Sequence, residues 1–271
     1  MAKVDIALLK KLRAMTNAPL KDCKAALLEA GDDLDKAQEV LRKKGALKAA
    51  KKADRETNEW VVRVKYEDGT IVAVKLACET DFVAKNEQFI SFADKILDTL
   101  KKFDKDTINS LSELSEEEKK QLDDIIAETV AVVGENVKII DVLKKKVDQA
   151  YIYEHPGSKV VWIVVYNSTN EKAEDIAKEI ALQAVAMNPS YAKVEDIPEE
   201  EKNKYYEEFK AEVIESGKPA DIADKIVQGK LNKLYSELVL LEQPWIRDDS
   251  KKLKSIVPSD FELIEVIRYA I

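Results

Sequence analysis

One histidine and two cysteines among 271 residues leave little from which to build metal or thiol chemistry. Cys23 and Cys78 do not form a Cys-x-x-Cys pair, and they would share a metal with His155 only if the fold gathered all three. A Gly-rich phosphate loop with its lysine, a dinucleotide fingerprint and a paired-histidine metal motif are all missing, so the sequence points to no catalytic, cofactor-binding or metal-binding residue. Gly and Pro number only seven each, which leaves little room for long flexible linkers. No segment approaches the roughly 20 apolar residues needed to cross a bilayer, and the opening MAKVDIALLKKLRAMT has no secretory apolar stretch. The expectation is a cytoplasmic protein with no membrane role. Cations are also in deficit, with 44 Lys and Arg against 52 Asp and Glu, and a net charge of −8 argues against a duplex DNA partner.

What remains is 45% apolar and 35% charged, a globular composition long enough for two or three packed units. Local basic runs at Arg42–Lys44, Lys48–Lys52 and Lys144–Lys146 read as solvated helix faces. The alternative is a docking surface for an acidic partner or RNA.

Val4, Leu8, Leu12 and Met15 recur at helical spacing, with Ile6 and Leu9 widening the apolar face. Pro19 suits the first turn of a second helix, which is expected to bury Leu20, Cys23, Leu27 and Ala30. Gly31 breaks it, Asp32 or Asp33 caps a third helix carrying Leu34, Ala37, Val40 and Leu41, and Gly45 marks that helix's far end. Three short helices make a docking module, with residues 46–59 as a helical or extended linker. Trp60 to Tyr66 alternate as a half-buried strand, Asp68-Gly69 turns the chain, and Thr70 to Cys78 return. Glu79 to Val83 then lead into a helix buried through Phe89, Phe92, Ala93, Ile96, Leu97 and Leu100.

A helix over 116–133 ends at Gly134-Glu135-Asn136, and Val137 to Val142 read as a strand. The turn His155–Ser158 and a strand over 159–166 precede a second helix with Ile176, Ala177, Ile180, Ala181 and Ala184 inward. Strand, hairpin and helix thus occur twice. Two further helices between Glu199 and Leu234, split at Gly217-Lys218-Pro219, form an antiparallel hairpin. Short strands at Leu238–Leu241 and Phe261–Ile267 return the chain to the second sheet. The fold class is α+β: a three-helix module over 1–54, then two similar α+β subdomains over 55–140 and 141–271, the hairpin occupying about 197–235.

His155 has the pKa range of a general base but no recognisable partner, and Cys78 has acidic neighbours in Glu79 and Asp81 but no base. Phe82 is more informative. It sits where a strand becomes a helix, as either a core aromatic or an interface anchor, beside Asp81, which reads as a helix cap.

The stretches KLRAMTNAPLKDCKAALLEAGDDLDKAQEVLRKKGALKAAKKA from Lys11, CETDFVAKNEQFISFADKI from Cys78, HPGSKVVWIVV from His155, IALQAVAMNPSY from Ile180 and SGKPADIADKIVQGKLNKLYSELVLLEQPW from Ser216 occur in order in one chain. Together they resemble the elongation factor Ts family over essentially the full length. The resemblance implies a ubiquitin-associated-like amino-terminal module, a two-part core, a protruding helical hairpin, and elongation factor Tu, in GDP-bound and nucleotide-free states, as partner. It implies guanine-nucleotide exchange by protein contacts, without covalent chemistry and without a nucleotide site on this chain. Thr80, Asp81, Phe82 and Val83 would then dislodge magnesium from the partner, while Leu20, Lys21 and His155 add contacts. Two departures stand out. Thr16-Asn17-Ala18 replaces the family's usual Thr-Gly-Ala, and Asn tolerates that turn. Longer members also carry a carboxy-terminal helical module with no counterpart after Ile271.

The alternatives are a noncatalytic adaptor or RNA binder using the basic runs, and a hydrolase using Cys78 or His155.

Overall fold

The computed structural model describes residues 4–154, 160–216 and 220–269. They divide into two compact units, one reaching to Val147 and the other formed by Asp148–Glu154 and Val161–Tyr269.

The first unit opens with helices α1 (Ile6–Thr16), α2 (Leu20–Ala30) and α3 (Leu34–Lys52). Asp5 caps α1 by accepting the Ala7 N–H at 2.7 Å, and Asn17 ends it in the left-handed region at φ 51°. Asn is among the few non-glycine residues that adopt this conformation readily, so the Gly-to-Asn departure keeps the turn. Gly31 ends α2 in the same way at φ 64°, and Asp33 rather than Asp32 caps α3, accepting the Asp35 and Lys36 N–H groups at 3.0 Å. Leu12, Ala18, Cys23, Ala26, Leu27, Ala37 and Leu41 form the module's core. Three residues expected on its apolar faces are instead exposed: Ile6, Met15 and Leu20.

Helix α3 does not stop at Gly45. It runs to Lys52 and packs on α6 (Glu116–Val133), where a Cβ on Gly45 would stand 2.6 Å from the Ala127 carbonyl oxygen. The glycine is there for close approach of two helices, not as a terminator.

Strands β1 (Glu59–Glu67) and β2 (Thr70–Cys78) form a hairpin through Asp68 and Gly69, both at positive φ, 52° and 71°. A two-residue turn of that hand matches the strand twist. After helices α4 (Asp81–Ala84) and α5 (Glu87–Lys102) come the two-residue β3 (Thr107–Ile108), α6, and β4 (Val137–Lys146). The antiparallel sheet has the order β1-β2-β4-β3. Val72, Val74, Leu76 and Cys78 share a core with Phe89, Ala93, Ile96, Leu97 and Leu100 of α5 and with Leu122 and Ile125 of α6. Each large apolar side chain buried there contributes about 1.5–3 kcal/mol.

The second unit holds β5 (Gln149–Glu154), β6 (Val161–Ser168), α7 (Ala173–Met187), α8 (Glu199–Glu215), α9 (Ala220–Leu238), a small hairpin of β7 (Pro244–Trp245) with β8 (Asp248–Lys252), and β9 (Phe261–Tyr269). Its main sheet has the order β5-β6-β9, antiparallel throughout. Helix α7 buries Ala177, Ile180, Ala181 and Ala184. Helices α8 and α9 fold back on one another around Val213, Val227 and Leu231, flanked by Tyr205, Tyr206 and Phe209. The run Leu238–Leu241 is not a strand. Leu238 ends α9, Leu240–Glu242 form a single 3₁₀ turn, and Val239 alone bridges to Tyr191.

Candidate protein-interaction site

The segment between β2 and α5 is built from a strand end, a one-turn helix and a cap. Thr80, in extended conformation, is the N-cap of α4, and its Oγ1 accepts the Val83 N–H at 3.4 Å. The cap expected at Asp81 therefore belongs to Thr80, whose side chain is placed before the first helical residue. Asp81 instead pairs with Lys85 one turn on, at 2.8 Å. The Lys85 hydrogen bond holds the Asp81 carboxyl below its ordinary value, so it is ionised near neutrality. On the underside, Ala84 is buried and Val83 packs against the core of sheet and helices. Phe82 faces the other way and is 83% exposed. Of the two readings of Phe82, the core aromatic is excluded by that number.

An exposed one-turn helix gains little from its own hydrogen bonds. What secures this one is a set of long-range contacts to the turn after α6. The Glu135 carboxylate accepts the N–H of Glu79 and of Thr80 through Oε2, both at 3.0 Å, and the Thr80 hydroxyl through Oε1 at 2.6 Å. Reciprocally, Glu79 Oε1 accepts the Asn136 N–H at 2.6 Å, a bond that lowers the Glu79 pKa. Buried Asn136 donates its side-chain amide to the Arg55 carbonyl oxygen at 2.6 Å, tying in the segment that leaves α3. Lys52 adds a bond from its ammonium to the Gly134 carbonyl oxygen. Two segments distant in sequence, the one leaving α3 and the turn after α6, thus converge where β2 passes into Thr80–Val83.

The family model described as Elongation factor TS matches residues 79–271 of this chain. Proteins named Elongation factor Ts from Aquifex aeolicus (strain VF5) and Hahella chejuensis (strain KCTC 2396) are 36% and 35% identical to it; these alignments take in 96% and 100% of this chain and 94% and 93% of the relatives. This chain belongs to the elongation factor Ts family. The family name places it among the translation elongation factors. The elongation factor Ts match includes Thr80–Val83, Glu135 and Asn136, and the relatives extend the similarity over the three amino-terminal helices.

Other residues singled out in the sequence fall elsewhere. Leu20 and Lys21 open α2, both exposed, Leu20 at 52%. They lie on a separate element of the same unit, not in the Thr80–Val83 turn. His155 lies outside the described residues. Cys78 is buried beneath the turn, where its thiol donates to the Thr80 carbonyl oxygen at 3.2 Å. Burial first, then the Glu135 charge, push that thiol up to about 12, which leaves it protonated and unsuited to attack. The basic runs are partly engaged within the protein, while Lys43 and Lys51 stand exposed. Arg42 pairs with Glu39 and Asp124, Lys44 with Glu29, and Lys48 with Asp22. Lys144 lies on β4, not on a helix, and its buried ammonium donates to the Lys101 and Phe103 carbonyl oxygens at the end of α5, 2.9 and 2.6 Å away. Among the described residues, no group of three or more His, Cys, Asp or Glu is placed to hold a metal ion, and no helix is long and apolar enough to cross a membrane.

Sequence reasoning missed Glu135 and Asn136. It read them as the end of a helix, because their partners lie more than 50 residues away. The available signal was two polar side chains following a helix-ending glycine directly before an apolar strand.

Proposed function

We propose that this chain is a cytoplasmic guanine-nucleotide exchange factor for elongation factor Tu, acting through protein contacts alone. The observation that carries the reading is the 83% exposure of Phe82 on a turn whose backbone is otherwise held from below. A solvent-facing Phe forgoes about 1.5–3 kcal/mol of burial in the free protein and regains it where a partner covers the ring. Beside it, Asp81 supplies a negative charge to a region of the partner that coordinates magnesium and phosphate.

The sequence of events is differential binding. The factor engages the GDP form, and Phe82 and Asp81, supported by Thr80 and Val83, loosen magnesium and phosphate contacts. GDP leaves, and the nucleotide-free complex persists until GTP enters. Linkage makes the loss of affinity mutual, so whatever weakens nucleotide binding is itself weakened by nucleotide. A thousandfold faster release corresponds to a barrier lowered by about 4 kcal/mol, within the range of a well-buried aromatic anchor and its surrounding contacts. Leu20 and Lys21 serve in this reading as the module's grip on the partner, and His155 as a contact from the second half of the core. The RNA-binding alternative is weakened because Arg42, Lys44 and Lys48 are already paired within the protein and Lys144 is buried.

The test is release of fluorescent GDP from elongation factor Tu by stopped flow at fixed magnesium. The expected result is acceleration that rises and saturates with the factor's concentration, and that fails when Phe82 becomes Ala. Equal acceleration by Phe82→Ala at full occupancy would remove Phe82 from the mechanism.

A further inference from the structure

We infer that Glu135 is the positioning residue of the exchange turn: its carboxylate sets the backbone of Glu79 and Thr80, so that Phe82 and Asp81 are presented before any partner arrives. This rests on the exchange reading for its consequence, but its structural part stands on geometry in the free protein.

One carboxylate makes three bonds here. Oε2 receives two successive backbone N–H groups, those of Glu79 and Thr80, and Oε1 receives the Thr80 hydroxyl. The same Thr80 oxygen then accepts from the Val83 N–H and closes the first turn of α4. A single side chain therefore fixes the direction in which the chain leaves β2 and the rotamer of the cap that starts α4. Charge assistance makes such bonds stronger than neutral ones. The backbone that carries this carboxylate is held on both sides of Glu135. Gly134 ends α6 at φ 78°, Asn136 beyond it is buried, and the Asn136 N–H is fixed on Glu79. Glu135 thus sits on a braced backbone, with its acceptor atoms aimed at the turn.

The mechanical consequence is specific. Phe82 has no packing of its own to fix it, since it is exposed, and Val83 and Ala84 hold only the underside. Without Glu135, the turn samples other conformations even after the rest of the surface has docked, and only the exchange-ready one releases GDP. That loss appears in the rate of GDP release from the saturated complex. It leaves the concentration needed for saturation nearly unchanged, because Leu20, Lys21 and the rest of the surface are untouched.

The experiment compares full-length Glu135→Ala, Glu135→Gln and Glu135→Asp with the unaltered chain in fluorescent GDP release. Each is also made in a Phe82→Trp background, for time-resolved anisotropy of the introduced indole without any partner. That signal is read as the difference from the matching chain with Phe82, because Trp60, Trp162 and Trp245 are common to both. Thermal unfolding confirms folding. For Glu135→Ala the expected result is a maximal release rate about tenfold lower, half-saturation within about twofold, and faster local motion of the introduced indole. Glu135→Gln keeps an oxygen for the two N–H groups and rescues most of the rate. Glu135→Asp keeps the charge but is too short to span all three donors, and is expected to resemble Ala. It answers the question if Ala does not fold. An unchanged maximal rate in Glu135→Ala, or a loss confined to half-saturation, overturns the proposal. If the unaltered chain accelerates nothing, the exchange reading fails by itself, and the motion of the indole still decides whether Glu135 orders the turn.

Discussion

Both units contain a connection in which a strand gives way to a helix, and the two connections differ in what they present. In the first unit, β2 leads through Glu79 and Thr80 to α4, tied down by Glu135 and Asn136. In the second, β6 leads through Thr169 and Asn170 to α7, and here too an acidic residue from elsewhere holds the loop. Asp260 accepts the Asn170 side-chain amide at 3.2 Å, and its carbonyl oxygen accepts the Ser168 hydroxyl at 2.8 Å. The exposed positions in the second connection are Asn167, Thr169, Glu171 and Lys172, all polar, whereas the first exposes Phe82. Holding a loop rigidly is thus common to both connections. What distinguishes a candidate site is an apolar side chain left outside on a held backbone, because that combination gives up burial in the free protein and suits only a bound state.

The sharpest way to break the comparison is to remove that side chain. Phe82→Ala is expected to slow GDP release at saturation by about thirtyfold or more, the scale of an interface anchor worth about 2 kcal/mol. Its unfolding midpoint should stay close to that of the parent, since the ring touches little. Thr169→Ala in the second unit should leave release unchanged. A marked loss of stability in Phe82→Ala would mean that the ring packs in the free protein, and the contrast would collapse.

Glycine offers a second contrast between the units. Gly45 of α3 has no room for a Cβ, whereas Gly229 of α9 has nothing within 4 Å of the place where one would go. Gly45→Ala should destabilise by about 1–3 kcal/mol in spite of alanine's helix propensity, because backbone must move to admit it. Gly229→Ala should stabilise by about 0.5–1 kcal/mol, the ordinary gain for an unobstructed helix position. Denaturant unfolding of both variants checks the pair, and matching signs would contradict the packing described for α3 on α6.

A further effect is expected on acid stability in the first unit. The Lys105 hydrogen bond, with the Ser115 N–H, lowers the Glu118 pKa from 4.5 to about 2. A carboxylate depressed on folding stabilises fully above its unfolded value, and the contribution is lost as pH falls through the folded value. Stability should therefore decline between pH 4.5 and about 2, and Glu118→Gln should flatten that decline. Unfolding midpoints measured across this window would show an undiminished slope in the variant if the assignment is wrong.

Much of this architecture is legible in the sequence where local signals and tertiary demands agree. Strand β2 and helix α6 have the bounds their patterns predict, since a two-residue Asp-Gly turn, a Ser115–Glu118 capping box and a helix-ending Gly134 all act locally. Errors arise where a residue serves a distant partner. Gly45 has the composition of a helix terminator, and its reason is Ala127 on another helix. Leu238–Leu241 is an apolar run too short for periodicity to decide, and its outcome is fixed by the docking of Val239 on Tyr191. Leu20 fits an apolar helical face by spacing and is nevertheless exposed. At the candidate site, Thr80–Val83 stands out in sequence, whereas the Glu135 clamp, spanning 55 residues, has no local signature.

The central claim is that this chain speeds GDP release from elongation factor Tu, and the most direct measurement is stopped-flow release of fluorescent GDP at fixed magnesium with excess unlabelled GDP. Release that accelerates with the concentration of this protein and then saturates is the predicted result. An unchanged release rate, with binding of the folded protein to elongation factor Tu demonstrated in the same solution, would contradict the account.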